Sequence, residues 1–113
     1  AASAGTFIVA AAHVAVMSPV SSIGAASPVG PGGDLPSTME TKAKEDVAAE
    51  IRSIAQIRGR NVQALEATVM EAKAYSASEA LEQNIIDPEK LVYCNNWFFH
   101  RKYWLKMLVK LML

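Results

Sequence analysis

The first third of the chain contains two apolar segments, followed by a stretch rich in proline and glycine. Residues 1–17 are small and apolar on every side, which predicts a buried helix. Ser3 precedes the apolar run at a typical N-cap position, and Pro19 ends the run. Residues 18–24 then predict a short extended segment. Residues 25–37 contain three prolines and three glycines, which predicts a loop.

The middle of the chain has helical spacing. A second helix is predicted from Ser37 or Thr38 to Arg58, and Gly59 suits its C-cap. The apolar stripe of this helix consists of Val47, Ala48, Ile51, Ile54 and Ala55.

Three short signals predict the next elements. A third helix is expected over residues 61–73, with Asn61 as its N-cap and an apolar side along its length. A capping box over Ser76–Glu79 begins a short fourth helix. Asn84 suits the left-handed conformation that ends this helix, and residues 85–86 predict a short buried strand.

Composition limits the class of protein. The chain has 113 residues, which is one domain at most, and its 51% apolar residues exclude an ordinary disordered chain. Eleven basic and eleven acidic residues give no net charge, which argues against a general nucleic-acid binder. A single cysteine, Cys94, excludes an internal disulfide. Because the sequence begins at Ala1 and not at Met, we expect a processed product or, in preference, a fragment that starts inside a domain.

Charge is distributed unevenly. Residues 1–90 carry seven basic and eleven acidic side chains, a net charge of −4, whereas residues 91–113 carry four basic and no acidic ones, a net charge of +4. We therefore predict a domain over residues 1–88 and a basic tail over residues 89–113. Four basic residues argue against a bilayer span. The tail is either a basic amphipathic helix on a membrane surface or a truncated or frame-altered end.

Few residues offer recognisable chemistry. No cluster of His, Cys, Asp or Glu has the spacing of a metal site, and there is no phosphate-binding or dinucleotide motif. His13 and His100 are isolated. His13 falls in the predicted apolar helix, which favours a buried core histidine over a catalytic one.

Ser3 is the most interesting candidate. Small residues flank it and a helix follows, so its hydroxyl could be exposed at a helix N-terminus, with the Ala4 N–H as an oxyanion donor. On the residues alone, a simple N-cap is the favoured interpretation. A serine nucleophile also needs a base, and a neutral lysine can serve. Lys42 and Lys44 are the candidates, although each is more simply a solvated residue of a first helical turn.

Three segments resemble the NfeD family of membrane-bound serine proteases, relatives of ClpP and of signal peptide peptidase A. They are AASAGTFIVAAAHVAVMSPVSSIGAASPVGPGG, IRSIAQIRGRN and SASEALEQNIID, and they span residues 1–87. The order of the ASAGT, SIGAASPVG and RGRN blocks is more specific to the family than any single block.

The resemblance implies a fold and a site. The fold would be α/β, a partial ClpP/crotonase-like spiral represented here by a mostly helical C-terminal half with short strands. Ser3 matches the nucleophile, and Lys42 matches the general base when counted back from RGRN. The Ala4 N–H would form half of the oxyanion hole. The glycines of the GPGGDLP loop would border the substrate cleft; they are Gly30, Gly32 and Gly33. No metal and no organic cofactor is implied.

The resemblance also implies partners and a location. Substrates would be hydrophobic segments of stomatin-like membrane proteins, and no nucleic acid is expected. The protein would be a membrane-associated homo-oligomer with its protease domain on the extracytoplasmic side.

The choice of base depends on where the second helix begins. If that helix already includes residue 42, its phase places Lys44 on the side of Ile51 and Ile54, and Lys42 points the opposite way. Assigning Lys42 as the base therefore requires it to lie at or before the helix start. Lys44 is the alternative.

Two rival functions remain. The Gly-rich segment that supplies the second oxyanion donor in the family is absent, and the family pattern stops after Asp87. An inactive protease remnant that acts through oligomer or membrane contacts is the first rival. A crotonase-type acyl-CoA enzyme ranks last, because no acidic residue occupies the Ser3 turn.

Overall fold

The structure is a computed structural model that describes residues 1–29 and 37–87. Helices and strands are mixed, in agreement with the α/β class. The helices are α1 (Ala4–Ala11), α2 (Ser37–Arg58), α3 (Val62–Met70) and α4 (Ala77–Glu82). The strands are β1 (Ser22–Gly24) and β2 (Ala74–Ser76).

The two strands form a small antiparallel sheet. Ile23 lies opposite Tyr75, and both side chains are buried. Gly24 lies opposite Ala74 and also forms a parallel bridge with Ala2. Gly24 therefore joins the start of the chain to the sheet. β1 falls in the predicted extended segment, whereas β2 was not predicted.

Helix α2 organises the core. It packs against α1 and α3, and its buried residues Ala48, Ile51 and Ala55 belong to the predicted stripe. Leu65 and Val69 of α3 complete this contact from the other helix. The period of the apolar residues thus predicted correctly which side of each helix faces the core.

Helix α1 is shorter than predicted. The expected helix over residues 1–17 ends at Ala11, because Ala12 is extended, with φ −64° and ψ 145°. Arg58 Nε donates a hydrogen bond to the Ala11 carbonyl at 2.6 Å. Such side chains replace the missing helical partners of the last carbonyls. The prediction of a buried core His13 is also wrong, because His13 follows the helix end and is exposed.

Arg60 holds this helix end from inside the core. Its side chain is buried, and its Nε and Nη2 donate to the carbonyls of Ala10 and Ala12 at 3.1 and 3.0 Å. Its Nη1 donates to the Ile85 carbonyl at 3.0 Å, and its Nη2 lies 3.4 Å from Asp87 Oδ2. One side chain therefore joins the end of α1 to the segment after α4.

The segment after α4 is buried but is not a strand. The N–H groups of Ile85 and Ile86 both donate to the Ala80 carbonyl, at 2.8 and 3.3 Å. Asp87 is joined to Ala15 twice: its N–H donates to the Ala15 carbonyl at 3.0 Å, and its Oδ2 accepts from the Ala15 N–H at 2.7 Å. The strand prediction for residues 85–86 is wrong because the backbone hydrogen bonds of this segment go to Ala80 of α4 and to Ala15, neither of which belongs to a strand.

The predicted caps of α2, α3 and α4 agree with the structure, although α3 is shorter than predicted. Asn61 accepts a hydrogen bond from the Ala64 N–H at 3.0 Å, and the Ser76–Glu79 capping box is complete. Gly59 and Asn84 both have positive φ, 65° and 54°. Helix α3 ends at Met70 instead of residue 73, since residues 74–76 pair with β1.

Within residues 1–29 and 37–87, no helix combines the length and apolar character needed to cross a membrane. The predicted basic tail over residues 89–113 lies outside the described residues, and the proposed domain limit at residue 88 stays a prediction.

Candidate functional site

The backbone of Ser3 has an uncommon conformation. Ser3 stands between the Ala2 bridge and the first residue of α1, with φ 51° and ψ −127°. A positive φ in a residue with a side chain costs roughly 1–3 kcal/mol, and such residues cluster at functional sites. The Ser3 turn, residues 2–5, is therefore a strained connection from an extended segment to a helix.

The hydroxyl of Ser3 does not cap the helix. Ser3 occupies the N-cap position, but its side chain makes no capping hydrogen bond, and the residue is exposed. The predicted N-cap position of Ser3 is therefore confirmed, but its hydroxyl does not supply the capping hydrogen bond. In the nucleophile elbow of α/β-hydrolases, a strained turn before a helix likewise exposes a serine hydroxyl.

The amide of Ala4 lies next to this hydroxyl. Residue 4 is the first of α1, so its N–H has no acceptor within the helix, and no other described residue accepts from it. The two amides that follow are occupied: Gly5 N–H donates to the Ala2 carbonyl at 3.0 Å, and Thr6 N–H donates to the Ser3 carbonyl at 2.9 Å. The Ala4 N–H is therefore the amide directly after the Ser3 hydroxyl that keeps its donor available.

Strand β1 holds the Ser3 turn in place. Ser3 N–H donates to the Gly24 carbonyl at 3.1 Å, and Gly24 N–H donates to the Ala1 carbonyl at 3.2 Å. Gly24 has φ 128°, and a Cβ at this position would lie 2.2 Å from the Lys73 carbonyl oxygen. No side chain fits there. The close approach of three segments at Gly24 thus requires glycine.

Both candidate lysines lie inside α2. Because the helix begins at Ser37, the requirement that Lys42 lie at or before the helix start is not met. Glu40 in the first turn favours this early start through the helix dipole. Lys42 is exposed, and Lys44 is half-buried with its Nζ 2.7 Å from Glu40 Oε1. The assignment of either residue as a base stays a prediction.

Other predicted site residues lie outside the part of the chain that the structure describes. Gly30, Gly32 and Gly33 lie outside the described residues, so their place at a substrate cleft stays a prediction. Among residues 1–29 and 37–87, no three His, Cys, Asp or Glu side chains are grouped closely enough to bind a metal ion.

Two further residues that build the site were not singled out from the sequence. Thr6 is a fully buried threonine in an otherwise apolar run, and Gly24 ends β1. A polar residue three positions after a candidate nucleophile, on the buried side of its helix, is a signal that could have drawn attention to Thr6.

These features define an α/β fold that presents a serine at a strained turn from an extended segment to a helix, and comparison with solved structures finds this arrangement similar to that of a protease. One match is the 1510-N membrane-bound stomatin-specific protease, as a lysine-to-alanine variant in complex with a substrate peptide. The two chains are 32% identical with a TM-score of 0.66, and the match covers 76% of this chain and 40% of that one.

A serine-to-alanine variant of that protease gives a second match, at 30% identity and a TM-score of 0.65, covering 76% of this chain and 42% of that one. The resemblance to a membrane-bound, NfeD-like serine protease is confirmed. This chain spans about two fifths of the solved chains that it matches. No protein-family model and no curated protein sequence matches it.

Proposed function

We propose that this chain carries the nucleophile of a serine endopeptidase of the NfeD/ClpP class. The observation that supports this most strongly is the strained Ser3 turn, with its exposed hydroxyl and the adjacent free amide of Ala4. The proposed fold of the whole domain is the ClpP/crotonase-like spiral. The similarity to a stomatin-specific protease supports hydrophobic segments of stomatin-like membrane proteins as substrates.

The proposed reaction is acyl transfer. Ser3 Oγ attacks the scissile carbonyl while a neutral lysine takes the hydroxyl proton, and the Ala4 N–H stabilises the oxyanion that forms. The lysine returns the proton to the leaving amine, which departs as the C–N bond breaks. Water then hydrolyses the acyl-enzyme, with the same lysine as base.

The identity of the base is open between two residues. Counting back from RGRN along α2 favours Lys42, and this helix runs without interruption between them. The serine and lysine substituted in the solved variants lie 41 residues apart (138 − 97), a spacing that Lys44 reproduces from Ser3 (44 − 3). That second count crosses the loop before α2, and loops change length more readily than helices. On this count we propose Lys42 although α2 already includes it, and Lys44 is the alternative that the phase of the helix favours.

The two lysines differ in what each must do to act. Lys44 is ion-paired with Glu40, so its Nζ must first leave this carboxylate. Lys42 is exposed and forms no salt bridge with a described residue, so it needs no such release.

Further parts of the proposal concern assembly and location. The glycine-rich loop, with Gly30, Gly32 and Gly33, would border the substrate cleft. A homo-oligomer that is associated with the membrane, with its protease domain on the extracytoplasmic side, is the arrangement that the family resemblance favours. Neither a metal nor an organic cofactor takes part in the proposed reaction.

A fluorophosphonate serine probe tests the proposal on the full-length protein that carries this sequence. We expect Ser3→Ala to abolish labelling and cleavage of an apolar peptide, because the nucleophile is lost. Replacing the true base should slow both by at least about a hundredfold. Ser53→Ala is the matched control, since Ser53 is an exposed serine whose hydroxyl bonds within α2.

The outcomes separate the candidates. Loss of labelling in Lys42→Ala but not in Lys44→Ala supports Lys42, and the reverse result assigns Lys44. Labelling that survives Ser3→Ala contradicts the proposal. A wild-type protein that is neither labelled nor active supports the inactive remnant instead.

A further inference from the structure

A second hydroxyl lies one helical turn after Ser3, on the buried side of α1. Thr6 is 0% exposed, and its Oγ1 contacts the same peptide that holds the Ser3 turn. It donates to the Gly24 carbonyl at 3.0 Å and accepts from the Gly24 N–H at 3.1 Å. The hydroxyl thus uses its donor and one acceptor position on a single residue of β1.

The Gly24 carbonyl is shared between Thr6 and Ser3. Its oxygen accepts from Thr6 Oγ1 and from the Ser3 N–H, at 3.0 and 3.1 Å. Moving the Gly24 peptide would therefore move the acceptor that fixes the backbone of Ser3. Since the strained φ of Ser3 persists only where its surroundings hold it, the Thr6 hydroxyl is one of the groups that maintain this conformation.

We propose that Thr6 is a positioning residue that holds the Ser3 turn against β1 and so aligns the Ser3 hydroxyl for attack. The alignment of Ser3 rests on the proposed protease function, whereas the hold on the turn does not. Thr6 is buried and does not reach substrate, so it acts through the position of Ser3. A small displacement of a nucleophile can slow a reaction by up to about a hundredfold.

The test replaces Thr6 by valine, which keeps the shape and removes the hydroxyl. Thr68→Val is the matched control: Thr68 is also 0% exposed, but its hydroxyl donates to the Leu65 carbonyl within α3. Thr6→Ser keeps the hydroxyl and serves as the conservative variant. Urea unfolding of each variant first establishes that it is folded under the assay conditions.

The first readout is amide hydrogen exchange, which does not depend on activity. We expect Thr6→Val to lower the protection of the Ser3 and Gly24 amides by about tenfold or more, with little change in the amides of α3. Thr68→Val should leave Ser3 and Gly24 protected. Thr6→Ser should restore most of the protection.

The second readout is kinetic. With an apolar peptide, Thr6→Val should lower kcat by about tenfold or more and leave KM nearly unchanged, because the substrate contacts remain. Fluorophosphonate labelling should slow by a similar factor. Thr6→Ser should recover both rates, and Thr68→Val should keep them.

Each result has a consequence. Unchanged Ser3 and Gly24 amides in Thr6→Val, or an equal kinetic loss in Thr68→Val, overturns the positioning role of Thr6. An inactive wild-type protein whose Ser3 amide still loses protection in Thr6→Val overturns the protease function and limits Thr6 to holding the turn.

Discussion

At the scale of single residues, Gly24 carries the tightest steric requirement among the glycines of the described residues. Its φ of 128° and the 2.2 Å approach of the Lys73 carbonyl to a Cβ leave no room for a side chain. Gly59 also has a positive φ, 65°, but nothing lies within 4 Å of a Cβ there. Comparing the two glycines therefore separates the free-energy cost of a positive φ from that of a steric clash.

We predict that Gly24→Ala lowers the free energy of unfolding by at least about 3 kcal/mol, because either the backbone of β2 or the Ser3 turn must move. Gly59→Ala should cost only about 1 kcal/mol, the usual penalty of the left-handed conformation. Urea denaturation of both variants measures the difference. Equal losses would show that the clash at Gly24 is relieved without cost.

Local chemistry explains which residues could be predicted from the sequence. The caps at Asn61 and Ser76 were predictable because each uses bonds to residues three positions away. The conformation of Ser3 was not predictable, because it depends on a hydrogen bond to Gly24, 21 residues further along the chain. A serine before a helix is an N-cap far more often than a nucleophile, and nothing local distinguishes the two.

At the scale of elements, the start of α4 combines a cap with a titratable group. The Ser76 hydroxyl and then the Ser76 N–H bond to Glu79, and with the nearby Lys73 they hold the pKa of the Glu79 carboxyl below its usual value of 4.5. A carboxyl whose pKa is lower in the folded state stabilises the fold above its unfolded pKa. That contribution is lost as the pH falls through the folded pKa.

We therefore predict that Glu79→Gln lowers the Tm at pH 7, and that the difference from wild type shrinks as the pH falls below 4.5 and the wild-type carboxyl is protonated. Thermal unfolding followed by circular dichroism measures this. Glu82→Gln, on the same helix but without a bond to Ser76, is the control. A Tm difference that is constant with pH would contradict the role of the charged carboxyl.

Elements whose limits depend on distant partners were predicted least well. Helix α1 ends early because Arg58 and Arg60, some fifty residues away, bind the carbonyls at its end. Strand β2 is only three residues long and exists by pairing with β1. In contrast, α2 was predicted with its correct limits, because a long apolar stripe and a C-terminal glycine are both local signals.

At the scale of the whole molecule, the described residues share one apolar core, and α2 contributes to it along one side only. Ile51 is fully buried in this core, whereas Ile57, on the same helix, is 77% exposed. Ile51→Ala should therefore lower the free energy of unfolding by about 2–5 kcal/mol, because it leaves a cavity.

Ile57→Ala is the matched control and should change that free energy by less than about 0.5 kcal/mol. Urea unfolding followed by circular dichroism compares the two. Because α1, α3 and α4 all pack into the same core, we expect Ile51→Ala to shift a single transition. A loss confined to α2, or an equal effect of Ile57→Ala, would contradict the shared core.

The two hydrogen bonds between Ala15 and Asp87 have a consequence for synthesis on the ribosome. The two residues are 72 positions apart. Because ribosomes add about 5–20 residues per second, Asp87 is synthesised roughly 4–14 s after Ala15. Arg60, which closes the end of α1, is made earlier in that interval. During that interval, the apolar segment of residues 1–17 lacks its final contacts in the nascent chain, and this is the period in which a chaperone can bind it.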